Sequence, residues 1–173
     1  NEYNRDDNRF FSHATRRPLE PEVLADAISD VLGITEDYDG TPVGTRAVEL
    51  ANPELPSRSL EVLGRCGRDD SCENVTTSRG GLPQKLHLFN GPLINARLVA
   101  AGSRLEDLWN ANLKPEQIME EFYLAALSRR PTDQEHAYWQ TELTIAESNG
   151  DTLAFLEDFV WGLLTSDAFM TNH

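Results

Sequence analysis

The chain has 173 residues, 39% of them hydrophobic and 25% charged. That is long enough for one domain with a real core and too apolar for a disordered chain. A formal net charge of −14 repels phosphate backbones and so argues against general nucleic-acid binding. No apolar run approaches the roughly 20 residues needed to cross a bilayer.

The charge is uneven. Acidic groups dominate 18–56 and 101–173, whereas 57–100 carries Arg58, Arg65, Arg68, Arg79, Lys85 and Arg97 against Glu61, Asp69, Asp70 and Glu73. This middle stretch is the candidate anion-facing patch. The plainer reading pairs its cations with the surrounding carboxylates, because Arg is their usual partner. The first residues hold neither an initiator Met nor a signal sequence, so Asn1 is expected to be a processing site or an internal start.

In chain order, residues 1–17 are polar and read as an extended arm, with the adjacent rings of Phe10 and Phe11 as its candidate docking point and interface. Residues 18–33 read as a helix. Val23, Leu24, Ala27, Ile28, Val31 and Leu32 recur at helical spacing, and Gly33 stands where a left-handed cap belongs. Residues 34–81 are rich in Gly, Pro, Asp, Ser and Arg and hold no sustained period. They read as a long irregular loop with short strands at most, at 45–50 and 59–63.

Residues 82–173 read as a helical bundle. A short helix over 83–89 breaks at Asn90 and Gly91. Pro92 and Pro115 each stand at a favoured first helical position. Ser103 with Glu106 caps a helix ending near Trp109, and Thr132 with Glu135 forms a capping box. Arg129 and Arg130 close the helix between them, where positive charge meets the negative pole of the helix dipole. Asn149 and Gly150 stop the next helix. Asp151 then caps a last one, with Leu153, Leu156, Phe159, Val160, Leu163 and Leu164 inward. The predicted fold is therefore mainly α, in one domain spanning 1–173.

Cys66 and Cys72 share one Gly- and Asp-rich loop. A disulfide there would tie the loop through a short ring, and such bonds persist only in oxidising compartments. Two free thiols and a metal site are the alternatives. Haem attachment lacks the His it needs after Cys72. Zinc needs two further ligands, and His13, His87, His136 and His173 are scattered without ligand spacing. The expectation is a disulfide-tied loop.

Placing Gly40 at the sixth position of a calcium loop puts Asp37 and Asp39 on the third and fifth, but Arg46 then replaces the bidentate Glu, which excludes an EF-hand. A non-standard calcium site on Asp37 and Asp39 is the surviving metal candidate; a solvated turn is the plainer reading. Asp69 and Asp70 can bind a cation or pair with Arg65 or Arg68. Gln84, His87 and Asn90 fall on one side of the 83–89 helix as a candidate ligand cluster, against a structural role at a helix end. Trp139 beside Tyr138 is the candidate sugar-stacking platform, whereas Trp161 and Trp109 read as core. No catalytic residue is assigned by sequence, and no covalently bound cofactor is expected.

Three blocks, taken in order, carry a family resemblance. The first is Asp7-Asn8-Arg9-Phe10-Phe11 with Arg16-Arg17-Pro18-Leu19-Glu20. The second is Gln84-Lys85-Leu86-His87-Leu88-Phe89-Asn90-Gly91. The third is Leu127-Ser128-Arg129-Arg130-Pro131-Thr132 with Glu135, followed by Phe159-Val160-Trp161-Gly162-Leu163-Leu164-Thr165-Ser166-Asp167-Ala168-Phe169. Together they resemble the C-terminal portion of the planctomycete-specific domain 1 family, a domain of unknown function found in large exported proteins, often with a cytochrome c domain upstream. The resemblance implies a periplasmic or extracellular location and a multidomain parent. The expected function is a noncatalytic scaffold or interaction domain that packs on the upstream half of its parent or on another chain. The alternatives are an accessory domain of a haem-containing oxidative enzyme and a glycan- or calcium-binding module.

Overall fold

The computed structural model describes residues 17–52, 55–65 and 92–172. Among these the chain is mainly helical. Strand β1 (Arg17–Pro18) leads into α1 (Pro21–Leu32), a 3-10 turn (Ala47–Glu49) and α2 (Arg58–Val62). Then follow α3 (Pro92–Leu98), α4 (Arg104–Asn110), α5 (Pro115–Leu127), α6 (Asp133–Asn149), α7 (Thr152–Leu164), α8 (Asp167–Met170) and strand β2 (Thr171–Asn172). None of these helices is long and apolar enough to cross a membrane.

Local signals set the helix ends. Gly33 closes α1 at φ +74°, a left-handed conformation that costs glycine little, and its N–H donates to the Ser29 carbonyl at 2.8 Å. The hydroxyls of Ser57, Ser103, Thr132 and Ser166 accept from the amides of Leu60, Glu106, Glu135 and Phe169, capping α2, α4, α6 and α8. Asp151 precedes α7 but its side chain makes no cap hydrogen bond, contrary to expectation.

The centre of the molecule is α7. It packs against α3, α5, α6 and α8, while α1 lies across α5 and gathers α2, α3, α4 and the 3-10 turn. Phe159, Leu156, Val160 and Leu164 of α7 are fully buried with Ile118 and Phe122 of α5, Ile28 and Leu24 of α1, and Leu143 of α6. The inward stripes differ from expectation at their edges. Val23 and Leu153 are exposed at 41% and 38%, and Ala25 is buried instead. A helix buries an arc, so residues at the arc's margin are decided by the neighbour and not by spacing.

Two strands expected inside 34–81 are helical. Segment 45–50 holds the 3-10 turn and 59–63 lies mostly within α2. The alternation there is only a few residues long, and side chains decide the outcome. The buried carboxylate of Asp26 accepts from the amides of Ala47 at 2.6 Å and Val48 at 3.1 Å, holding the start of the 3-10 turn on α1. The Ser57 hydroxyl caps α2. The only ladder among the described residues is β1 with β2, antiparallel, pairing Arg17 with Asn172 and Pro18 with Thr171. It joins the two ends of the described chain.

Candidate functional site

The segment Leu127-Ser128-Arg129-Arg130-Pro131-Thr132 with Glu135 forms the corner between α5 and α6. Ser128 caps α5 at φ +53°, a left-handed conformation uncommon for a residue with a side chain. The Arg129 guanidinium donates twice to the Glu135 carboxylate, both bonds at 2.8 Å, in the bidentate geometry peculiar to Arg. The same carboxylate accepts from the Thr132 amide at 2.8 Å and hydroxyl at 2.9 Å. The Arg129 bonds, joined by those from Thr132, hold the Glu135 carboxyl down to about 2 against the opposing effect of burial. Arg129 therefore does not serve the end of its own helix alone, as its position suggested; it clamps α5 to the start of α6. Arg130 pairs with Glu120 at 2.7 Å on the exposed side.

Beside this clamp, the indole N–H of Trp139 donates to the Tyr123 hydroxyl at 3.0 Å. The Arg129 guanidinium lies 5.6 Å from the centre of the Tyr123 ring, within cation–π range. The Trp139 ring meets Phe159 edge-to-face at 5.0 Å and Phe155 at 6.2 Å. Burial pushes the Tyr123 phenol up, although the indole bond opposes it. Trp139 is thus turned inward and half-buried, which corrects its reading as the exposed half of a sugar-stacking platform. Tyr138 is the exposed ring, at 58%.

Two cavities flank the Tyr123–Trp139 pair, and both residues line each of them. The hydrogen-bonded pair is therefore the partition. The inner cavity, about 130 Å³, lies between α5 and α6. Helix α6 also packs on α7. Met119, Tyr123, Pro131 and Trp139 give it an apolar and aromatic lining, with Glu116, Glu120 and His136 as its ionisable groups. The outer groove, about 380 Å³, is walled by Leu127, Trp139, Leu163 and Ala168, with Tyr138, Gln134 and Glu135 along it.

The candidates named by sequence fall elsewhere. Asp37 and Asp39 are both exposed on the loop after α1. Among the described residues no group of three or more His, Cys, Asp or Glu side chains is gathered to hold a metal. Phe10, Phe11, Cys66, Cys72, Asp69, Asp70, Gln84, His87 and Asn90 lie outside the described residues. Of the basic middle segment, Arg97 donates to Glu36 at 2.8 Å and to the Ser29 hydroxyl at 3.1 Å in a largely buried pair. Arg65 donates to the Leu55 carbonyl. Both arginines serve packing here. The Tyr123–Trp139 pair was missed because 16 residues separate its partners; the Thr132–Glu135 capping box located the corner but not what meets beside it. Comparison with family models, curated proteins and solved structures finds no match to this chain.

Proposed function

We propose that this chain is a noncatalytic protein-interaction domain, the C-terminal part of a larger exported bacterial protein like those of the planctomycete-specific domain 1 family. Its outer face on α6 docks on the upstream part of its parent. The observation that carries this reading is Tyr138: an exposed ring beside an apolar groove, on a helix whose start is tied to α5 by the Arg129–Glu135 pair. Rigid aromatic anchors at the edge of an apolar recess carry most of the energy of many interfaces. Few residues of α6 are committed to the core, namely the buried Leu143 and Ala146 and the half-buried Trp139, so the face that carries Tyr138 is available to a partner. Phe10 and Phe11 of the N-terminal arm are the second proposed anchor.

Binding of this chain to the separately produced upstream part of its parent tests the reading. Tyr138→Ala is expected to weaken that binding at least about 10-fold, typical of an aromatic hot spot, while the melting temperature holds. The double change Phe10→Ser with Phe11→Ser is expected to act the same way. Unchanged binding in both variants would overturn the assignment. A glycan-stacking role is the second reading, favoured by the same exposed Tyr138 ring; saturable binding on a glycan array that Tyr138→Ala abolishes would select it.

A further inference from the structure

We infer that the inner cavity between α5 and α6 takes the side chain of an arginine or lysine presented by the docking partner; this rests on the interaction role proposed above. A space of about 130 Å³ is close to the roughly 150 Å³ that admits a benzene-sized group, enough for one side chain and not for a peptide backbone. Its apolar and aromatic lining, Met119, Tyr123, Pro131 and Trp139, suits an aliphatic stem. Two carboxylates one helical turn apart, Glu116 and Glu120, stand along it and suit a cationic head. Glu120 is matched by Arg130, whereas Glu116 has no ion-pair partner among the described residues. The lining contains no Lys or Arg.

Charge favours a cation over a neutral apolar group. The Tyr123 ring already carries the Arg129 guanidinium, so the Trp139 ring and Glu116 are the groups left to meet a further cation. A cation held by a ring face and an exposed carboxylate gains from both without full desolvation. The net charge of −14 also draws basic segments and repels acidic ones, so a partner's Arg or Lys arrives by long-range attraction.

The indole N–H signal of Trp139 reports directly on the cavity wall, and Trp139→Phe identifies it among the three tryptophans. Capped alanine-rich pentapeptides with a central arginine, lysine, citrulline or norleucine are titrated while that signal is followed. Arginine and lysine peptides are expected to shift it saturably. Citrulline and norleucine should bind at least about 10-fold more weakly, because they keep the stem and lose the charge. Glu116→Gln and His136→Lys change exposed positions and should each weaken the arginine peptide several-fold. Equal binding of the citrulline or norleucine peptide, no response to either substitution, or no saturable shift would overturn the site. If the upstream part of the parent still binds and still depends on Tyr138, the interaction role stands and only the cation site falls.

Discussion

Trp139 of α6 gives its indole proton to the hydroxyl of Tyr123 on α5, at 3.0 Å, and the two rings together divide one cavity from the other. The bond fixes how the outer helix sits on the inner ones. Tyr123→Phe removes the acceptor and leaves a half-buried donor unsatisfied. A loss of about 1–2 kcal/mol is expected, or a fall of several degrees in melting temperature at about 2–4 °C per kcal/mol. Thermal unfolding followed by circular dichroism checks it; an unchanged midpoint would mean that water replaces the hydroxyl at no cost.

The Glu135 clamp makes stability depend on acid. Its carboxyl titrates at about 2 when folded, against an ordinary 4.5. The unfolded chain therefore binds the proton first as pH falls. The stabilisation is complete above about 4.5 and is lost between there and about 2. Because this side chain is one-third exposed, solvent screening reduces the effect to about 1 kcal/mol. Glu135→Gln should be less stable than the parent at pH 7, and the difference should shrink steadily below pH 4.5. A difference independent of pH would contradict the ion-pair origin.

Asp26 should control one loop. Asp26→Ala leaves the amides of Ala47 and Val48 without their acceptor and frees the 3-10 turn from α1. A cost of about 2–3 kcal/mol is expected for removing a charged acceptor from buried donors. Native-state hydrogen exchange should show Ala47 and Val48 accelerating first, with α7 still the slowest region. Uniform acceleration across the chain would show that the contact supports the whole fold.

Gly33 tests the sequence logic of helix ends. Alanine there would have to hold φ +74° and place its Cβ 3.4 Å from the Arg104 amide nitrogen. Gly33→Ala should cost about 1 kcal/mol or more, measured by denaturant unfolding. A neutral result would mean that the α1–α4 junction relaxes.

Gly33, Pro92, Ser103, Pro115 and the Thr132–Glu135 box were legible because each signal and its effect lie within one helical turn. The helical character of the chain followed from them. The Asp26 contact with Ala47, the Arg97 pair with Glu36 and the Tyr123–Trp139 bond were not legible, since their partners are 16 to 61 residues apart. The strand expected over 45–50 failed for the same reason: Asp26, remote in sequence, claims its amides; that over 59–63 failed on a local signal, the Ser57 cap of α2. Trp139 read as exposed because α6 is polar around much of its surface, and only packing on α7 shows which side turns inward.

The interface proposed on α6 is tested by a photo-cross-linking amino acid placed at Tyr138 in the proposed full-length parent. Irradiation in the native cells should join position 138 to peptides from the upstream part of the same protein, identified by mass spectrometry, at a yield well above that from a probe at the 90% exposed Val43. Equal or absent cross-linking at 138, with peptides recovered from Val43 instead, would overturn the α6 interface and move it to the loop after α1.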